Sequence, residues 1–155
     1  MDKQVVLLAG LPGSGKTAYL CQMFRLGWLA FDDFKAQAFE DCSRFDSSLK
    51  FLPLIVAVRA GLRCVLADVD FCKTESREEA VGLLAATIPG VHTSWLFFEN
   101  EPTACEANVR IRNNPSIERE LQLIRDYSAC YRIPQGADVL PVVRNTDQRN
   151  TEKRS

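Results

Sequence analysis

The 155-residue chain carries 19 basic and 20 acidic side chains, a net charge of −1 and 46% hydrophobic residues. This balance excludes an overall basic nucleic-acid footprint and an extended disordered protein, and leaves only a local basic groove open. No apolar run reaches the roughly 18–20 residues of a spanning helix, and Val5 to Ala9 falls short of the about 7–15 residues of a signal-peptide core, so a cytoplasmic protein is expected.

The first element is a strand over residues 4–9, because Val5-Val6-Leu7-Leu8 is a continuous apolar run suited to a strand buried on both faces. A helix follows over 15–26 and stops at Gly27. A short apolar stretch, 28–31, then runs into Asp32-Asp33, and the polar segment 40–48 reads as a loop or helix end. Residues 49–60 form the next helix, with Pro53 either in its first turn or kinking it. A strand over 63–71 holds the buried run Cys64-Val65-Leu66-Ala67. Ser76 with Glu79 reads as a capping box opening a helix to Thr87. Residues 91–98 are β-branched and aromatic, a fourth strand. Pro102 opens a helix to Asn113, and Asn114-Pro115 breaks it. Ile117, Leu121, Ile124, Tyr127 and Tyr131 share one face of a fifth helix. Residues 138–143 supply the last strand, placed at a sheet edge by Pro141. The polar residues 144–155 are expected to be a disordered tail.

Strands alternating with helices at these spacings predict one α/β domain, residues 1–143, with a parallel sheet covered on both faces. The six cysteines include no C-x-x-C pair and there is a single histidine, His92. That pattern predicts reduced, mostly buried thiols rather than a zinc site or a disulfide scaffold.

Between the first strand and the first helix lies Gly10-Leu11-Pro12-Gly13-Ser14-Gly15-Lys16-Thr17, which is G-x-x-x-x-G-K-[ST] in the context that motif requires. Glycines let successive backbone N–H groups turn inward as an anion nest, and the helix N-terminus adds positive potential. Lys16 can reach the β- and γ-phosphates, and the Thr17 hydroxyl can ligate Mg²⁺. A chance match in a chain of this length has a probability of roughly half a percent at average residue frequencies. Nucleoside triphosphate binding is therefore the leading expectation.

The class of nucleotide protein follows by exclusion. There is no N-K-x-D for guanine and no apolar strand ending in Asp-Glu, as a GTPase or a motor ATPase would require. The third strand ends Leu66-Ala67-Asp68-Val69-Asp70, with Asp68 and Asp70 on one face at period two. These features favour a small kinase. Gly10–Thr17, Phe31-Asp32-Asp33-Phe34, Leu66-Ala67-Asp68 and Asn108-Val109-Arg110-Ile111-Arg112, in that order, resemble the polynucleotide-kinase-like and zeta-toxin-like group of P-loop kinases. The resemblance runs from about Lys3 to Val143. It implies a three-layer P-loop NTPase fold with a five-stranded parallel sheet in the order 2-3-1-4-5. It also implies ATP and Mg²⁺ as cofactors, an arginine-bearing lid, and an aspartate after strand two that activates the acceptor hydroxyl. Carried over, that aspartate is Asp32, with Asp33 as the alternative. Asp68 matches the aspartate near Mg²⁺, and Arg112 with Arg110 matches the lid.

The chemistry agrees: phosphoryl transfer to an alcohol uses a carboxylate beside the attacking oxygen and cations on the transferred group. Each residue also has a plainer role. Asp32 and Asp33 are good helix caps, Asp68 suits a turn, and Arg110, Arg112, Arg119 and Arg125 suit a solvated helix face. Trp28, Phe31 and Phe34 read as core, and His92 as structural. The expected activity is ATP-dependent phosphorylation of a hydroxyl, on a small molecule in preference to a polynucleotide end, with Arg59 and Arg63 as contacts for an anionic acceptor. The competing class is a regulatory module that holds the nucleotide, or an ATPase, without phosphotransfer.

Overall fold

In the computed structural model, residues 2–32 and 51–144 are described. Asp33, Phe34, the segment 40–48 and the tail from 145 onward lie outside them. The chain order is β1 (Gln4–Ala9), α1 (Lys16–Arg25), β2 (Leu29–Asp32), α2 (Leu52–Arg59), β3 (Cys64–Ala67), α3 (Thr74–Thr87), β4 (His92–Phe98), α4 (Pro102–Arg112), α5 (Ile117–Ser128) and β5 (Asp138–Leu140), with a 3₁₀ turn at Val69–Cys72 between β3 and α3.

The five strands form one sheet in the order β2-β3-β1-β4-β5, and every pairing is parallel. This is the order and direction that the family resemblance implies. Alternation along the strands splits the core in two. Val5, Leu7 and Ala9 of β1, with Leu66 of β3 and Phe97 of β4, face Leu54, Val58, Leu84, Val109, Leu121 and Ile124 from the helices α2 to α5. Leu8, Ala30, Val65, Ala67 and Phe98 face the other way, onto Leu20 of α1. The sheet is thus covered by helices on both sides, and the most buried strands, β1 and β3, lie at its centre.

Local chemistry explains where the element boundaries differ from expectation. β3 ends at Ala67 rather than running to residue 71, because the Asp68 carboxylate accepts the Asp70 backbone N–H at 2.8 Å and starts the 3₁₀ turn. Asp68 and Asp70 therefore do not share a strand face. α3 begins at Thr74, and the Ser76/Glu79 pair lies inside the helix instead of capping it. The start is set by Arg77, whose buried guanidinium donates to Phe71 O, Thr74 Oγ1 and Arg132 O. Pro53 sits in the first turn of α2 without kinking it. β5 stops at Leu140, just before Pro141, and occupies the sheet edge. Among the described residues Cys21, Cys64, Cys72, Cys105 and Cys130 are free thiols; Cys64, Cys72 and Cys105 are buried and Cys130 is exposed.

Candidate functional site

The carboxyl ends of parallel strands converge on one edge of such a sheet, and ligands bind there. At that edge β1 gives way to the loop 10–15, which delivers the chain into α1. The loop needs glycine at two points. Gly13 has φ +80°, and a Cβ there would stand 2.5 Å from the Cys105 carbonyl oxygen of α4. Gly15 has φ +112°, and its Cβ would stand 2.8 Å from Val143 Cγ2. Gly15 is also the N-cap of α1 and offers no side-chain acceptor, so the first amides of the helix are left for an anion.

The loop is tied down from outside. Asn108 of α4 is buried, and its Nδ2 donates to Gly13 O at 2.8 Å and also to Val143 O. Ser14 O in turn accepts the Val143 N–H at 3.1 Å. Loop, α4 and the segment after β5 thus form one hydrogen-bonded unit.

Lys16 folds back across the loop, donating to Gly10 O at 2.6 Å and Leu11 O at 2.8 Å. Burial pushes its ammonium below the ordinary lysine value, opposed by the negative charges of Asp32 and Asp68 among others. Beneath the loop, burial raises the Cys72 thiol to about 12 and the Cys105 thiol to about 11, so both are neutral packing groups.

A cleft of about 440 Å³ opens above the loop. Pro12, Gly13, Gly15, Lys16, Thr17, Asp32 and Arg112 line it, joined by Asn108, Glu120, Leu123, Val69 and Val143. Seven of the residues expected from sequence therefore face one space, four of them, Lys16, Thr17, Asp32 and Arg112, with functional side chains. Asp32, the last residue of β2, is exposed there and pairs in register with Ala67 of β3. Asp68 follows Ala67 but is 1% exposed and is not part of the lining. Gly10, Leu11 and Ser14 are buried under the loop.

Arg110 is exposed on α4 outside the cleft lining, and so are Arg119 and Arg125 on α5. Arg112 closes α4 and faces Glu120 of α5, Nη2 to Oε2 3.8 Å. The expectation for Arg59 and Arg63 is corrected. Arg59 ends α2, and Arg63 immediately precedes β3 with its guanidinium 5.0 Å from the Trp28 ring centroid. Both belong to the amino end of the strands, opposite the cleft. Phe31 is core as expected, and Trp28 packs against the core face that holds Leu20.

Asn108 and Glu120 were not singled out from the sequence. A signal existed for Asn108: it falls at i+3 from Cys105 and precedes Val109, the buried face of α4, where a polar side chain must find partners. Nothing local marks Glu120, which reaches the cleft only through the packing of α5 on α4.

No family model matches the chain. An uncharacterised protein of Acanthamoeba polyphaga mimivirus is 26% identical over 133 residues, covering 86% of this chain and 89% of that protein. Among solved structures, a gluconokinase from Sinorhizobium meliloti 1021 superposes with a TM-score of 0.53 at 14% identity, over 94% of this chain and 85% of its own. A shikimate kinase from Bacteroides thetaiotaomicron aligns at a TM-score of 0.45 and 13% identity, over 97% and 94% of the two chains. The gluconokinase likeness is one of fold: a five-stranded parallel sheet in the 2-3-1-4-5 order within three α/β layers.

Proposed function

We propose that the chain is a kinase that transfers the terminal phosphoryl group of ATP to a hydroxyl of a small molecule. One observation carries the reading. A phosphate loop with Lys16 and Thr17, a strand-end carboxylate at Asp32 and a guanidinium at Arg112 line the same cleft. The loop amides and Lys16 hold the phosphates; on binding, the ammonium exchanges its two carbonyl partners for phosphate oxygens. Asp32 takes the acceptor proton as the acceptor oxygen bonds to phosphorus and the bond to the ADP oxygen breaks. Arg112 neutralises charge on the group in flight, a role Arg110 does not share because it lies outside the lining.

Mg²⁺ fits the donors present. It would take one or two protein oxygens and complete its shell with water and phosphate; Thr17 Oγ1 in the cleft lining is a hard oxygen donor of that kind, and the Asp68 carboxylate is another, though buried and outside the lining. Among the described residues no cluster of three acidic, His or Cys side chains could hold a metal by itself, which suits an ion that arrives with the nucleotide. When bound, the ion offsets charge on the β- and γ-phosphates. A small acceptor is favoured over a polynucleotide end by the net charge of −1 and by the position of Arg59 and Arg63 away from the cleft.

The test combines ADP release, with and without a panel of hydroxyl acceptors, with the substitution Asp32→Asn. Acceptor-stimulated release is expected from the wild type, falling by orders of magnitude in Asp32→Asn while ATP binding persists. Asparagine caps a helix about as well as aspartate, so a structural role survives the change. ATP binding with neither basal nor stimulated turnover would instead identify a regulatory module. Undiminished kcat in Asp32→Asn would return Asp32 to a cap.

A further inference from the structure

Glu120 is out of place in a cleft that is to receive phosphates. It brings a carboxylate among groups otherwise arranged for anions, and its Oε2 is buried without a hydrogen-bond partner. Among the described residues it pairs with Arg112, at 3.8 Å, a contact of charges rather than a hydrogen bond. Both side chains are partly open to solvent, 41% for Arg112 and 21% for Glu120, so the pair is weak and easily exchanged. α4 ends at Arg112, Asn113 turns left-handed at φ 46°, and α5 begins at Ile117.

The two helices are anchored on either side of this turn. Asn108 ties α4 to the loop, while the Tyr127 hydroxyl donates to Asp70 Oδ1 at 2.6 Å and holds α5 to the end of β3. Arg112 and Glu120 lie between the two anchors, where the side chains can rearrange without moving either helix body.

We infer that Glu120 is a positioning residue that holds the Arg112 guanidinium at the cleft before nucleotide binds and gives it up to the nucleotide phosphates on binding. The inference rests on the proposed nucleotide binding and adds to it. The phosphates replace a single weak counter-charge, so Arg112 is held near its working position without being neutralised there. Glu120 is then a brake on affinity, and it acts through Arg112.

A double-mutant cycle on ATP binding tests this, using the full chain, MgATP and titration calorimetry at low ionic strength, where exposed charges are least screened. Glu120→Gln should tighten MgATP binding by roughly two- to fivefold, the span of a weak, partly exposed ion pair. Glu120→Ala should change affinity in the same direction. In an Arg112→Ala background the same Glu120→Gln change should give a clearly smaller gain, because no guanidinium remains to be released. An equal or larger gain in that background would overturn the inference, since Glu120 would then act on the phosphates directly. Weaker binding by Glu120→Gln would overturn it as well, making Glu120 a support for Arg112 in the bound state. If the wild type binds no MgATP, the proposed function falls and takes the inference with it.

Discussion

At the scale of single residues, Lys16 carries a buried charge that costs the fold stability, a cost the proposed phosphate-binding role would explain. Its ammonium is desolvated and, among the described residues, donates to two loop carbonyls, so burial lowers its pKa from 10.5. A lysine depressed in the folded chain binds fewer protons there than when unfolded. Stability therefore rises with pH as the group loses its proton, and the burial penalty is complete only at pH below the folded value. Lys16→Met, apolar and of similar length, should leave the melting temperature of the ligand-free chain unchanged or higher at neutral pH. The difference from wild type should shrink as the pH approaches 10.5. The same variant should lose nearly all ATP-dependent turnover. Thermal melts across a pH series, beside ADP-release rates, check both halves; a large loss of stability at neutral pH would mean the lysine is a structural strut of the loop. Ser14 fits the same pattern, since its buried Oγ has no hydrogen-bond partner among the described residues.

At the scale of elements, the loop is shaped by its neighbours as much as by its own glycines. Asn108 joins Gly13, α4 and the segment after β5 through two carbonyls accepting from one amide nitrogen. Asn108→Ala leaves both carbonyls without their donor and should cost about 1–3 kcal/mol of stability, read from urea unfolding. It should also weaken MgATP binding severalfold, because the carbonyl of Gly13 is no longer held back from the phosphate side. Loss of stability without any loss of affinity would show that the tether serves packing alone. On the other side of the cleft, burial and the hydrogen bond to Asp70 push the Tyr127 hydroxyl well above its ordinary pKa. It stays a donor at any working pH. Lys73 Nζ lies 4.8 Å from the Tyr127 ring centroid and steadies the same contact.

For the molecule as a whole, a binding cleft on the carboxyl edge of the sheet couples ligand to global stability. On the proposed function, MgATP at about 100 times its Kd should stabilise the folded state by about 2.7 kcal/mol. In a chain of this size that raises the melting temperature by roughly 5–10 °C. Adding EDTA should remove most of the rise if the ion mediates phosphate binding, and ATP analogues lacking the phosphates should give none. A shift insensitive to EDTA would separate nucleotide binding from Mg²⁺. Among the described residues no helix is long and apolar enough to cross a membrane.

The phosphate loop and the alternation of strands and helices were legible without coordinates, because both are written in contiguous residues. Gly10 to Thr17 sits between an apolar run and a helical pattern, and each strand core, such as Val5 to Leu8 or Cys64 to Ala67, declares itself by burial on both faces. The strand order was implied by likeness to a family rather than by the residues themselves, since pairing is a property of segments far apart in the chain. What only the tertiary structure decided lies between elements. Asn108 reaches Gly13 across 95 positions, and Tyr127 reaches Asp70 across 57. That Arg112 and not Arg110 lines the cleft depends on which side of α4 meets α5. The removal of Arg63 from the site follows from its place at the amino end of β3, opposite the cleft. Even the end of β3 was settled by one carboxylate, Asp68, accepting a backbone N–H two residues on, a hydrogen bond strong enough to turn a strand where composition alone would have continued it.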